Sequence, residues 1–392
     1  METQLTPGAN VKKLRKDRGL SQLQLARKAN ISVSLLSKIE VGDRTLTPSA
    51  AASLGRAMGV TMAEVQGRAP IAHDEEAVIA DLRKAIRDFD LPRVKPPTLG
   101  EIHAELERVD QLRDTAKITK LMPMLPLLLK KATSLAHAEN SEESWAALAD
   151  VYGSVYWMAA RHRWMDLAEL AVSRQRWAAG QKHNPLSEAV AARDRAGTYL
   201  NFGDCEGGLM VVERAISRAE RALSGEERDI AVGLLNLRGM TLAGRLPDDK
   251  EARREANRHI QSARHASQPF TNDFKVHGLT FGPRNTFVHN LATLTDLGRP
   301  KKALGLTDDL ETATSGLPPL RIAHTYIAAA RAQLDVGDVS ASLDSLYRAW
   351  NTAPQLARLN PMWQEVLRVI DSTHKRANPQ LAVLRQASGI ED

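Results

Sequence analysis

Apolar residues recur every three to four positions along nearly the whole 392-residue chain, and no stretch alternates with the period of two expected of a strand. The pattern predicts an all-α fold. Residues 1–70 divide into five short segments. Val11 to Asp17 carries Val11 and Leu14 on one side and ends before Gly19, which suits the left-handed step after a helix. Ser21 is positioned to cap Gln22–Asn30, whose apolar set is Leu23, Leu25, Ala26 and Ala29. Ser32 is positioned to cap Val33–Glu40, with Leu36 and Ile39 inward, and Val41-Gly42-Asp43 makes a turn. Pro48 precedes a fourth segment with Leu54, Ala57 and Met58 inward, and Thr61 opens a fifth with Met62 and Val65.

Residues 71–98 read as a linker. Ala77 to Phe89 has helical spacing, whereas Pro92, Pro96 and Pro97 remove donors and force their neighbours to be extended. Residues 99–392 then repeat one theme. The turns Arg163-Trp164, Gly203-Asp204, Gly244-Arg245, Gly298-Arg299 and Gly337-Asp338 follow apolar helices and precede alanine-rich ones, at glycine steps of 41, 54 and 39 residues. Helix pairs recurring at such intervals predict an α-solenoid, with the six tryptophans as packing residues.

Charge changes this picture at one end only. Residues 1–70 hold eleven Lys or Arg against five acids, while the remaining residues carry 42 of each sign. A basic head on a neutral body suits a protein that meets a polyanion at that end. One cysteine, Cys205, excludes a disulfide framework and any multi-cysteine zinc site. The start lacks a basic-then-apolar leader, and the longest apolar run, Leu121 to Leu129, is broken by Pro123 and Pro126. The expectation is a cytoplasmic protein without a membrane segment.

In the head, Leu20-Ser21-Gln22-x-x-Leu25-Ala26 followed by Ile31-Ser32-x-Ser34-x-Leu36-Ser37-x-Ile39-Glu40-x-Gly42 resembles the XRE-type (phage repressor and Cro-like) helix-turn-helix domain. The resemblance implies that the second motif helix enters the major groove of double-stranded operator DNA. Val33, Ser34, Ser37 and Lys38 then face the bases: Lys38 toward guanine O6 and N7, the serines toward either base type, Val33 toward a thymine methyl. Gln22 matches the family position that holds a phosphate, and Arg44, after the recognition helix, is a second phosphate contact. Ser32 serves as cap and phosphate ligand. Arg15 and Glu40 match the family's internal ion pair and are read as scaffold. The set lacks bidentate Gln, Asn or Arg readers, so DNA shape contributes to selectivity.

The turns of the body resemble those of tetratricopeptide (TPR) repeats. A head of this type on such an array is similar to the RRNPP regulators, whose arrays bind signalling peptides, and to actinobacterial regulators of the same layout. Phe281-Gly282-Pro283-Arg284-Asn285-x-x-x-His289 resembles a signature of the second group, which carries no ligand assignment with it. Positions six, nine or ten, thirteen and sixteen before each turn glycine share one side of the preceding helix, the side that lines the concave face. There lie Arg193, Arg228, Arg238, Asn285, His289, Arg321, His324 and Arg331. Such groups suit a carboxylate or an extended peptide backbone.

Nucleotide-binding P-loop, His-Glu-x-x-His and Gly-x-Ser-x-Gly patterns are missing, His73-Asp74-Glu75-Glu76 reads as a solvated loop, and Cys205 has no activating neighbour in sequence. Catalytic residues, metal ligands and cofactors are therefore not expected. The reading is a DNA-binding transcriptional regulator that acts as a homodimer, with residues 99–392 dimerising and sensing a peptide or small-molecule effector. The alternative is a protein-binding scaffold localised by its head, with no small ligand.

Overall fold

The structure is a computed structural model that describes residues 6–58, 60, 65–66, 73–247, 250–373 and 378–388, and the side chains of all of these but 48, 49 and 73–75. The head opens with α1 (Pro7–Asp17), four residues earlier than the apolar pattern indicated. Thr6 Oγ1 accepts from the Ala9 amide, and Pro7 occupies the first turn, where its missing N–H costs nothing. Gly19 takes φ +64°, and the Leu20 amide closes back on the Arg15 carbonyl. Reciprocal bonds between Ser21 and Gln24 start α2 (Gln22–Ala29). Ser32 starts α3 (Val33–Val41), Gly42 ends it at φ +88°, and α4 (Pro48–Met58) follows. Val11, Leu25, Leu36, Ile39, Leu54 and Val65 form the core of the head. Gly8 lets α1 press on α3, since a Cβ there would collide with the Ile39 carbonyl oxygen. The start of the expected fifth segment, 61–64, lies outside the described residues.

The segment 71–98 is not a free spacer throughout. Within it α5 (His73–Arg87) buries Ile79, Leu82, Ala85 and Ile86 in the first core of the array, and the proline-rich stretch after it is irregular. The array continues with α6 (Leu99–Asp114), α7 (Ile118–Leu121), α8 (Leu125–Glu139), α9 (Glu142–Arg161), α10 (Met165–Ala179), α11 (Pro185–Phe202), α12 (Cys205–Ala222), α13 (Gly225–Ala243) and α14 (Lys250–Ser267). After a hairpin come α15 (Pro283–Asp296), α16 (Pro300–Leu304), α17 (Leu310–Thr314), α18 (Pro319–Asp335), α19 (Val339–Thr352), α20 (Pro354–Leu359), α21 (Pro361–Thr373) and α22 (Pro379–Ser388). From α8 to α15 each helix packs on the next, as α18 does on α19, which makes this a TPR-like α-solenoid.

At the repeat turns Arg163, Gly203, Gly298 and Gly337 adopt positive φ, and Gly244 stays right-handed at φ −63°. Two expectations need correction. Strands are present as well: β1 (Phe274–Val276) pairs antiparallel with β2 (Leu279–Phe281) through a His277-Gly278 turn in which both residues have positive φ. Three residues per strand are too few to show an alternation of period two. Phe270, Phe274 and Phe281 pack against one another at ring distances of 5.0–6.0 Å and anchor this hairpin.

Nor is the concave side an open groove. Ala116, just past α6, sits in the C-terminal core beside Leu320, Ala323 and Leu356, and Thr119 exchanges bonds with Gln355. Lys275 Nζ on β1 stands 2.5 Å from Asp114, and Arg113 donates to the Gly278 carbonyl. The first and last parts of the superhelix are thereby tied together, with the hairpin between them. No described helix is long and apolar enough to cross a membrane.

Candidate nucleic-acid interface and ligand chamber

In the head, α2 and α3 pack on each other against α4 and α1, which fixes the outer side of α3. Ser34 and Lys38 are exposed there, Val33 is 39% exposed, and Ser37 is half-buried. Arg44 is exposed in the loop that follows, and its amide donates to the Lys38 carbonyl at 3.1 Å, holding that loop to the end of α3. Ser32 Oγ accepts from the Leu35 amide at 3.0 Å, so the cap role is occupied while its O–H remains free to donate outward. Gln22 Nε2 donates to Glu40 Oε2 at 2.8 Å, which uses one of the amide's two N–H groups. Arg15 grips Glu40 bidentately, Nε to Oε1 at 2.6 Å and Nη2 to Oε2 at 2.9 Å. Burial pushes the Glu40 carboxyl up, but the bonds from Arg15 and Gln22 outweigh it and hold the pKa below the usual range. One buried carboxylate thus orients both motif helices.

The second site is a chamber of about 400 Å³ on the concave side of the array. Of the residues selected in the sequence, Arg193 (α11), Arg238 (α13), His289 (α15), and Arg321, His324 and Arg331 (α18) all line it. Asn285 does not. Its Nδ2 donates to the Thr280 carbonyl at 2.7 Å, and its amide is held by Asp273, so it fastens α15 to the hairpin. Arg228 is also absent from the lining; it pairs with Asp229 at 3.4 Å and is largely exposed.

The lining contains groups missed by counting back from glycines: Asp150, Tyr156, Trp157 and Arg161 on α9, Arg113 on α6, and Lys275 and His277 on the hairpin. The signal for part of α9 was available. Trp157, Gly153 and Asp150 stand six, ten and thirteen residues before Arg163, which occupies a turn position without being glycine. The hairpin residues break the repeat and carry no such signal. Trp157 is accordingly a chamber wall, with the Arg161 guanidinium 4.9 Å from its ring centre.

Electrostatically the chamber is lopsided. Arg193 pairs with Asp194 at 2.7 Å, Arg331 with Asp296 at 2.5 Å, Lys275 with Asp114, and Arg113 with Asp110 at 2.5 Å. Arg161, Arg238 and Arg321 have no carboxylate partner among the described residues. Burial and then the neighbouring arginines pull Arg321 down to about 9, and burial lowers Arg161 and Arg193 to about 10. Burial first, then these same arginines, drive His289 and His324 well below 6.5, so both rings are neutral at pH 7. His277 goes the other way: burial lowers it, but Asp150 at 2.9 Å prevails and raises its pKa.

Outside the chamber, Glu213, Glu255 and His259 are of metal-ligand type and lie close together. The Arg258 guanidinium stands 2.6 Å from each carboxylate, so the group is an ion-pair cluster. Cys205 is buried, and burial raises its thiol pKa. The side chains of His73, Asp74 and Glu75 lie outside the described residues.

Residues 11–65 match the family described as helix-turn-helix. The immunity repressor protein of Bacillus phage phi105 is 34% identical over 108 residues, a span of 28% of this chain and 69% of that protein. Among solved structures, a point mutant of PrgX aligns over 93% of this chain and 100% of its own at 11% identity, with a TM-score of 0.25. The PrgX/cCF10 complex aligns over 88% and 93% at 11% identity, with a TM-score of 0.24.

Proposed function

The chain belongs to the XRE-type helix-turn-helix family of DNA-binding regulators, and from that premise we propose that it binds operator DNA as a homodimer, with a ligand in the chamber setting its affinity for DNA. Val33, Ser34, Ser37 and Lys38 read base edges, while Gln22, Ser32 and Arg44 hold phosphates. One head of this size covers a short site, and two heads on half-sites a helical turn or its multiple apart raise both affinity and specificity.

A single observation carries the regulatory half of this reading. Among the described residues, two array helices that are hydrogen-bonded to the head also line the chamber. α11 brings Arg193 and Asp194 to the chamber, and its terminal Phe202 carbonyl accepts a hydrogen bond from Arg56 on α4. α21 brings Pro361 and Met362 to the chamber, and its Glu365 accepts from Thr45, the neighbour of Arg44. A ligand that shifts α11 or α21 therefore shifts the head directly, and with it the spacing of two heads.

Footprinting on DNA selected from a random pool tests both halves. Two protected half-sites are expected, with cooperative occupancy and a dimer by light scattering. The Arg56→Ala/Glu365→Ala variant, with both ties cut, should change affinity for the paired site at least threefold while leaving a single half-site unaffected. One protected half-site at every concentration refutes the dimer; unchanged paired-site affinity in the variant refutes the coupling.

A further inference from the structure

The regulatory reading leaves the ligand's chemistry open. Building on that reading, we propose that the chamber takes a compact, multiply charged anion, carboxylate or phosphate in kind, held by the guanidinium groups of Arg161, Arg238 and Arg321 beside His289 and His324.

Charge carries the first part of the argument. Three guanidinium groups without carboxylate partners among the described residues line one chamber, each partly buried, so that solvent screens them less than it would on an open surface. The Nε atoms of Arg161, Arg193 and Arg238 and Nε2 of His289 are buried without a hydrogen-bond partner in the described structure. Guanidinium nitrogens donate only, so what completes them is an acceptor. Arg161 Nη2 lies 3.3 Å from His324 Nε2, which places the lone pair of that imidazole on Nε2 and its proton on Nδ1. The carboxylates at the chamber, Asp114, Asp150, Asp194 and Asp296, are already engaged by Lys275, His277, Arg193 and Arg331, and one neutral acceptor there, Gln175 Oε1, is buried without a partner in the described structure. An anion with several oxygens meets all the open donors together, with arginine forks matching its geometry.

Donor balance decides against a peptide. A peptide backbone presents as many N–H donors as carbonyl acceptors, and the engaged carboxylates leave those donors little to bond. Small metabolites fall within the volume range of such cavities.

The test uses the full chain and thermal unfolding followed by tryptophan fluorescence. Citrate and pyrophosphate serve as probes, with sodium chloride at matched ionic strength and blocked hexa-alanine as controls. At about a hundredfold excess over its dissociation constant, the better anion should raise Tm by about 4 °C, and neither control should. The stronger of the two responses identifies the anion as carboxylate or phosphate in kind. Arg321→Met should raise Tm in the absence of probe, because it relieves repulsion, and should abolish the response; Arg238→Met should reduce the response at least tenfold in apparent affinity. No response of the wild type to either anion overturns the proposal. So does an undiminished response in both variants, or a response to hexa-alanine alone. DNA affinity measured in parallel separates the two readings: an anion that binds without altering DNA affinity refutes the regulatory coupling and leaves this site standing.

Discussion

Replacing Glu40 with alanine isolates the interaction on which the head's geometry depends. The Glu40 side chain is 1% exposed and that of Arg15 10% exposed, and the two share a bidentate bond at 2.6 and 2.9 Å. Removing one partner of such a pair strands the other charge, at a cost of about 3–5 kcal/mol. Gln22 loses its acceptor in the same step. A head of this size holds about 3–8 kcal/mol of stability in total, so most of it disappears. Hydrogen exchange reads this directly: the amides of Leu36 and Ile39 in α3 should exchange about a hundred- to several-thousandfold faster. All six tryptophans lie between residues 145 and 363, so fluorescence-detected unfolding of the array serves as an internal control and should barely move. DNA affinity should fall in proportion to the fraction of heads left folded. The double variant Arg15→Met/Glu40→Leu, which replaces the pair with apolar side chains of similar volume, should recover α3 protection. Unchanged protection in Glu40→Ala, or a double variant no better than the single one, would refute the reasoning.

Two further outcomes follow from the same geometry. Lys38→Ala should cost about 1–3 kcal/mol on the preferred DNA sequence and little on random DNA; Arg44→Ala should weaken both alike and lower the salt dependence by about one ion, as read by anisotropy titrations across salt concentrations. Acidification should destabilise the array. His289 and His324 stay neutral when folded but take protons near pH 6.5 when unfolded, so their contribution is present above 6.5 and lost as pH falls below it. His277, with its raised pKa, opposes them with stability present below 6.5 and lost as pH rises through its folded value. His259, lowered to about 4 by burial and then Arg258, acts with the first two, and three groups against one leave a net fall in Tm between about pH 7 and about pH 5.5. His324→Asn should flatten that profile, and an equal slope in the variant would count against the assignment.

Local chemistry made the head legible. Caps such as Ser21 and Ser32, the stop at Gly19 and the inward set of Leu25, Leu36 and Ile39 are short-range signals, each acting within one turn of its own helix. The arginines and histidines of the repeats were legible for a related reason. A helix has a fixed period, and the turn after it gives an origin, so Arg193, Arg238, His289, Arg321, His324 and Arg331 could be assigned to one side before any contact was known. Tertiary structure alone decided what that side became. The tie of Thr119 to Gln355 and of Asp114 to Lys275 joins segments far apart in the chain and turns a groove into a chamber. The hairpin is too short to announce itself, yet it supplies His277 and the Gly278 carbonyl. Which arginines lack a carboxylate was likewise invisible, because Asp194 and Asp296 choose their partners by distance in the folded molecule. Periodicity is a property of neighbours along the chain, whereas charge balance in a buried space belongs to groups that only folding brings together.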